Sequence, residues 1–194
     1  LLLGLAANWL AAGLLAFTIF FYAVVYTVRL KRSTPQNIVI RGAARALPPV
    51  IGWAAVSGSL SIEPLLLFAI VFMWTPPHFW ALALVKNDDY KAANIPMLPV
   101  VAGSLETRRQ IVVYAVLLAP LAVAPSFIGM ASVGYGVIAT IAGLLFVAIS
   151  LQLFKTGNDK HAMRLFTYSI LYLFLLFLGL VIDHAVLGYL VGVA

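Results

Sequence analysis

Long apolar runs separated by short polar stretches dominate the sequence. A helix needs about 20 mainly apolar residues to cross the hydrocarbon core of a bilayer, and no run shows the strict alternation of a barrel strand. We therefore predict an all-α polytopic membrane protein. The predicted spans cover residues 9–28, 38–56, 63–85, 111–129, 131–154 and 163–182, and residues 1–6 are expected to be the tail of an earlier helix.

The composition agrees with this class. Apolar residues make up 64% of the chain and charged residues 9%, whereas soluble domains average roughly 45–50% and 25%. A soluble globule needs more polar surface than this to cover its core. An ordinary soluble enzyme, a disordered chain and a nucleic-acid-binding domain are therefore excluded. The chain has no cysteine, which excludes disulfides and thiolate metal sites.

The charges predict the orientation in the membrane. The cations follow the first, third and fifth spans, whereas the loops at 57–61 and 129–132 contain none. By the positive-inside rule the cation-bearing loops are cytoplasmic, so we expect a multi-pass protein in the lipid bilayer of the cytoplasmic (inner) membrane. Arg41 and Arg45 lie within the second predicted span and share one helix face. Because lipid-facing arginine is costly, they are expected to face a polar cavity or the interface.

Two proline pairs, Pro48–Pro49 and Pro76–Pro77, fall inside predicted helices. Each proline removes an amide donor and clashes with the carbonyl four residues back, so both pairs are expected to interrupt their helices. Backbone groups freed within the membrane must meet protein, water or a ligand. The interruptions are either structural kinks or the border of a substrate cavity.

Two adjacent carboxylates, Asp88 and Asp89, follow the third predicted span. Adjacent carboxylates repel unless cations lie near them, and either Lys86 and Lys91 or a divalent metal ion would supply that charge. Carboxylate oxygens suit Mg²⁺, which typically uses one or two carboxylates together with substrate phosphates. The pair is a candidate metal and catalytic site, although a solvated acidic loop would show the same residues.

His78 lies in the apolar part of the third span, where a histidine is a functional candidate. Eleven residues separate it from Asp89, which is three helical turns and roughly 16 Å along one face. We predict a polar stripe from the membrane interior to the acidic residues. The imidazole would contact or ligate a porphyrin, or else bond to a neighbouring helix for structural reasons.

Lys31, Arg32 and Asn37 follow the first span on the same predicted side as Asp88 and Asp89. The two cations suit a diphosphate, one as a point charge and the other as a planar fork, and Asn37 is able to hydrogen-bond a substrate. Positive-inside anchoring would place the same cations here without any substrate.

Five motifs occur in order along the chain: YTVRLKRSTPQNIVI, PPVIGW, WTPPHFWALAL, DDY and PMLPVV, at 26–40, 48–53, 74–84, 88–90 and 96–101. With them the chain resembles the UbiA superfamily of intramembrane prenyltransferases, in the branch that farnesylates protohaem IX. The resemblance implies a bundle of nine helices, of which about six are present in a single transmembrane domain over 1–194. The family's first acidic motif would then lie upstream of Leu1, and the chain alone is expected to be inactive.

The resemblance also assigns roles to residues. Asp88 and Asp89 match the second acidic motif of the family, which binds Mg²⁺ and an allylic diphosphate, and the Lys-Arg loop matches Lys31 and Arg32. The chain departs from the family at Arg41 and Arg45, where small residues are usual. The substrate-binding candidates implied by the matching motifs are Tyr26, Asn37, Trp74, His78 and Tyr90.

The implied activity is transfer of a farnesyl group from farnesyl diphosphate to the vinyl group of haem b, giving haem o and diphosphate, with Mg²⁺ as cofactor and haem as substrate. Two alternatives stay open. One is a related enzyme that prenylates an aromatic quinone precursor, which the motif at 75–80 disfavours. The other is a secondary transporter, which also uses broken helices and intramembrane polar groups.

Overall fold

Long helices account for most of the structure, a computed structural model that describes residues 1–30, 34 and 36–191. Within these residues five helical segments are long and apolar enough to cross a membrane, which confirms an all-α multi-pass membrane protein. These segments cover Trp9–Thr27, Ile62–Val85, Gly103–Phe127, Val133–Thr156 and Asp159–Ala185. The helices in chain order are α1 (Leu2–Ala6), α2 (Trp9–Phe20), its π-helical continuation (Phe21–Leu30), α3 (Asn37–Arg45), α4 (Pro48–Ser57), α5 (Ile62–Val85), α6 (Asn87–Ala92), α7 (Leu98–Val101), α8 (Gly103–Phe127), α9 (Val133–Thr156) and α10 (Asp159–Val191).

The predicted span over 38–56 is wrong as a single helix. It consists of α3 and α4, of 9 and 10 residues, which meet at Ala46 and Leu47. Pro48 and Pro49 have no amide hydrogen and would clash with the carbonyls one turn earlier, so α3 cannot continue through them. Proline is well suited to the first turn of a helix, and α4 begins there.

The second proline pair behaves differently, because α5 runs through Pro76 and Pro77 without a break. The expected interruption is therefore wrong at this position. Both prolines are buried in the bundle, and the hydroxyl of the preceding Thr75 donates to the Val71 carbonyl at 2.8 Å. Helices within membranes tolerate proline where packing and serine or threonine hydroxyls satisfy the freed groups.

The core forms where α5, α8, α9 and α10 pack against one another. Small residues bring α8 and α9 close together, since a Cβ atom at Gly143 would lie 3.2 Å from the Ala119 Cβ. Such close approach is typical of helix packing in membranes. Large buried side chains fill the remaining space, and they include Trp80, Ile111, Phe146, Leu165 and Tyr172.

Contacts between helix ends fix how the helices alternate. At one end of the bundle Arg108 Nη1 donates to the Phe154 carbonyl at 3.0 Å, joining the start of α8 to the end of α9. At the other end Ser132 N donates to Asp183 Oδ2 at 2.7 Å, joining the α8–α9 loop to α10. The cation-bearing loops after α5 and after α9 therefore lie at one end.

Candidate functional site

His78 sits inside the bundle between aromatic rings. It is 8% exposed. Its ring stacks on Trp74 at 4.3 Å between centroids and on Phe166 of α10 at 4.6 Å, while the ring of Phe79 lies perpendicular to it at 4.9 Å. Trp74 is positioned by α5 itself, because residues four apart share a helix face. The two faces of the imidazole are covered, which leaves its edges for polar contacts.

Hydrogen bonds set the tautomer of His78. Nδ1 lies 2.6 Å from the Ser169 Oγ, and the Ser169 hydroxyl donates to the Phe166 carbonyl at 2.6 Å. A hydroxyl has one hydrogen and a carbonyl only accepts, so both contacts are satisfied when Nδ1 carries the imidazole proton. Nε2 then holds a lone pair, and it makes no hydrogen bond to the described part of the chain. The same serine accepts from Trp74, whose Nε1 donates to the Ser169 carbonyl at 2.7 Å.

A second group of side chains adjoins the histidine, and we name it the arginine–aromatic cluster: Tyr26, Arg41, Arg45 and Phe79. The Arg41 guanidinium carbon lies 5.8 Å from the Tyr26 ring centroid and 5.7 Å from that of Phe79, and the Arg45 guanidinium carbon lies 5.0 Å from the latter. These distances are within the range of cation–π attraction. The two arginines point to the same aromatic surface, in agreement with their predicted common face.

Asp88 and Asp89 lie at the surface, with side chains 95% and 71% exposed. Lys91 Nζ is 3.4 Å from Asp88 Oδ1 and Lys86 Nζ is 3.3 Å from Asp89 Oδ2, so the lysines do supply opposing charge. Exposed pairs of this kind contribute little to stability, typically about 0–1 kcal/mol. The carboxylates are therefore held loosely and remain accessible.

The predicted stripe from His78 to Asp89 along one helix is wrong. α5 ends at Val85 and the two aspartates lie on the separate helix α6, because the backbone at Lys86, with φ −101° and ψ 25°, leaves the helical conformation. One residue at this junction was not singled out from the sequence. Asn87 Oδ1 is buried and accepts no hydrogen bond from the described residues. A buried acceptor without a donor is costly, and this one lies directly before the acidic residues.

The remaining candidates hold the connections around α6 and α7. Asn37 is buried, and its Nδ2 donates to the Pro96 carbonyl at 3.5 Å. Tyr90 packs against the core, and its carbonyl accepts from the amide of Ile95 at 3.0 Å. Lys31 and Arg32 lie outside the described residues.

Comparisons with known proteins identify the family. The family model described as UbiA prenyltransferase matches residues 1–187. The chain belongs to the UbiA prenyltransferase family. No solved structure matches it.

Several curated relatives within this family carry the name protoheme IX farnesyltransferase. One from Rhizobium rhizogenes (strain K84) is 60% identical over 189 residues, and one from Methylobacterium sp. (strain 4-46) is 61% identical over 188 residues. Each alignment covers 95% of this chain and 59% of the relative. A third, from Rhizobium meliloti (strain 1021), is 57% identical over 190 residues, which is 96% of this chain and 60% of the relative. The chain thus spans about three fifths of the length of these relatives.

In this UbiA-family chain the candidates form two groups. Tyr26, Trp74 and His78 are linked through the arginines and aromatic rings inside the bundle. Asp88 and Asp89 lie beyond the end of α5, in contact with lysines. Ser169, the partner of His78, comes from α10 and was not among the site residues predicted from the sequence. The first group is thus aromatic and cationic and lies within the bundle, whereas the second is acidic and exposed.

Proposed function

We propose that the protein containing this chain transfers a farnesyl group from farnesyl diphosphate to the vinyl group of haem b, giving haem o and diphosphate. The observation that carries the proposal is the aromatic-flanked His78, whose Nε2 is left with a free lone pair inside the membrane-spanning bundle. The names of the relatives support it. We also propose that the protein resides in the cytoplasmic membrane with its cation-bearing loops in the cytoplasm.

His78 is the proposed contact for haem b. A neutral imidazole with Nδ1 donating to another group presents Nε2 as a ligand for iron, and the partner of Nδ1 fixes the ring orientation. Trp74 and Phe166 form the apolar stack that holds this ring. The surrounding aromatic side chains would exclude water from the bound macrocycle, which favours chemistry at a carbocation.

Asp88 and Asp89 are the proposed ligands of Mg²⁺. Their carboxylate oxygens are the donors that Mg²⁺ prefers, and the buried Oδ1 of Asn87 is a further oxygen without a donor among the described residues. One or two carboxylates are what Mg²⁺ typically takes from a protein, and substrate phosphates would complete its shell. When bound, Mg²⁺ neutralises charge on the departing diphosphate. Lys31 and Arg32 are proposed to bind the remaining phosphate oxygens.

The proposed reaction breaks the bond between C1 of the farnesyl group and the diphosphate oxygen, which keeps the electron pair. The π electrons of the haem vinyl group then form a new bond to C1. Water adds to the resulting cation and loses a proton, which leaves a hydroxyethylfarnesyl side chain. The chain's contribution is to separate the charged end of the substrate, beside α6, from the apolar interior beside His78.

The acidic pair provides the direct test. In the full-length protein, Asp88→Asn or Asp89→Asn is expected to lower haem o formation by about two orders of magnitude or more, because removing metal-assisted charge stabilisation costs several kcal/mol. Product is measured chromatographically after incubation with haem b, farnesyl diphosphate and Mg²⁺. Raised Mg²⁺ should partly restore turnover.

Glu106→Gln is the matched control, because Glu106 is a partly exposed carboxylate near the same end of the bundle and pairs with Arg109 at 3.9 Å. It should leave turnover unchanged. If the double variant at Asp88 and Asp89 turned over normally, the metal assignment would fall. If the intact protein consumed farnesyl diphosphate only with an aromatic quinone precursor, haem b would not be its substrate.

A further inference from the structure

We infer that Arg41 and Arg45 form a binding site for the carboxylate groups of the tetrapyrrole substrate. This inference rests on the proposed function. It concerns two arginines at positions where the resemblance led us to expect small residues. It gives the arginine–aromatic cluster a ligand of defined chemistry, a pair of carboxylates carried on a flat apolar ring system.

The first argument is the depth of the arginines. Both guanidinium groups lie over the ring of Phe79, which is six residues before the end of α5 and therefore about 9 Å along the helix axis from that end. α3 approaches α5 closely, since a Cβ atom at Gly42 would lie 3.2 Å from Thr75 side-chain atoms. The fold thus holds both guanidinium groups beside a membrane-spanning helix, about 9 Å along its axis from its C-terminal end.

The second argument is the absence of a counter-charge. The chain has six acidic residues, all within the described part, and the ion pairs found there involve Lys86, Lys91 and Arg109 but neither arginine of the cluster. Arg41 Nε is buried and donates to no acceptor in the described part of the chain. Arg41 is half-buried and Arg45 is exposed, so the pair stays accessible. Cations without a carboxylate partner beside a membrane-spanning helix call for an anionic ligand.

The third argument identifies the anion. A guanidinium matches a carboxylate with two parallel hydrogen bonds, and haem b carries two propionate carboxylates at one edge of its ring. Phe79, which lies under both arginines, contacts His78 edge-on at 4.9 Å. A macrocycle bound at His78 would therefore be separated from the guanidinium groups of Arg41 and Arg45 by one aromatic ring, that of Phe79. The diphosphate, by contrast, is proposed to bind beside α6.

The experiment compares haem b with its dimethyl ester, in which both carboxylates are neutral. Binding to the full-length protein in detergent is followed by the Soret absorbance. The intact protein should bind haem b roughly tenfold to a hundredfold more tightly than the ester, because a hydrogen bond to a charged group typically contributes about 1.5–3 kcal/mol. The double variant Arg41→Gln/Arg45→Gln should lose this preference and bind the ester as the intact protein does. The double lysine variant, which keeps the charge, should retain part of it.

Arg109→Gln is the control, because Arg109 is an exposed arginine that pairs with Glu106, and it should keep the full preference. Equal losses for haem b and the ester in the double glutamine variant would overturn the inference, as would a loss confined to farnesyl diphosphate binding. If the intact protein lost its preference for haem b over the ester in nanodiscs of phosphatidylglycerol but kept it in phosphatidylcholine, the site would bind an anionic lipid headgroup, and the inference would be overturned too.

The outcomes separate this inference from the proposed function. If the intact protein forms haem o but binds the acid and the ester equally, the inference fails alone. If it forms no haem o yet prefers the acid through the two arginines, the proposed function fails and the carboxylate site stands.

Discussion

Ser169 and His78 are 91 residues apart in the chain, and one hydroxyl group between them determines which imidazole nitrogen is available. The serine is fully buried and its own hydrogen is committed to the Phe166 carbonyl. The imidazole must therefore donate from Nδ1. Ser169 is a positioning residue, since it acts on a substrate only through the histidine.

We predict that Ser169→Ala changes how His78 binds haem b. Without the hydroxyl, Nδ1 loses its acceptor and the ring is free to hold its proton on either nitrogen. In the full-length protein the spectrum of histidine-ligated haem should weaken, and haem affinity should fall by about tenfold, the usual lower bound for loss of an outer-shell partner. His78→Ala should abolish that spectrum. Neither variant should change the affinity for farnesyl diphosphate.

Ser150→Ala serves as the control for this experiment, because Ser150 is also fully buried and its hydroxyl also donates to a carbonyl of its own helix, that of Phe146 at 2.8 Å. It should leave the haem spectrum unchanged. Unaltered ligation in Ser169→Ala would refute the positioning role. Equal losses of haem and farnesyl diphosphate binding would mean that the serine is needed only for the structure.

The sequence singles out His78 but not Ser169, for a physical reason. A histidine in an apolar run is conspicuous because it is costly there. A serine in an apolar helix is inexpensive, since its hydroxyl bonds to the carbonyl of a preceding residue. The pairing of the two depends on how α5 and α10 pack, which no local pattern reports. For Arg41 and Arg45, the shared helix face follows from their spacing in the sequence. Their aromatic partners depend on how the helices pack, so the sequence does not predict them.

Among the helices, the contact between α8 and α9 depends most clearly on small residues. A Cβ atom at Gly143 would also lie 3.3 Å from the Ala119 Cα, which is backbone and cannot rotate away. We predict that Gly143→Val lowers the free energy of unfolding by about 1–3 kcal/mol through overpacking. The midpoint of thermal unfolding in detergent measures this loss.

Gly52→Val, in α4, is the comparison, because a Cβ atom there meets nothing within 4 Å. Its midpoint should stay unchanged or rise slightly, because valine has a somewhat higher helix propensity than glycine. Equal shifts in the two variants would show that the α8–α9 contact tolerates a larger side chain.

The two proline pairs show where prediction from the sequence stops. Both remove amide donors inside apolar stretches, yet Pro48–Pro49 begins a helix and Pro76–Pro77 lies within one. The second pair is buried in the bundle. In α4, Pro48 is exposed and Pro49 only half-buried. Because the outcome depends on packing, the sequence predicts six spans, whereas the described part of the chain has five helical segments long enough to cross a membrane. The positions of the five long helices, in contrast, follow from apolar length alone.

For the molecule as a whole, the alternation of cation-bearing and cation-free ends is open to a direct test. Reporter domains inserted into the full-length protein after Asp89 or Lys160 should read as cytoplasmic, and those after Ser59 or Met130 as external. The reason is that the cations of the loops after α5 and α9 resist translocation. Two reporter domains are used, one that is active only in the cytoplasm and one that is active only outside it. At each position the two should give opposite signals. An external reading after Asp89 would invert the orientation.

The hydrogen bonds that join Trp74 and His78 to Ser169 form late during synthesis of the chain. Ser169 emerges 91 residues after His78 and 95 after Trp74, a delay of about 5–20 s at the usual rates of translation. Throughout that interval α5 is already made while the acceptors for its indole and imidazole are still absent. The tautomer of His78 is therefore fixed only when α10 inserts, and a chain released before α10 is made lacks this site.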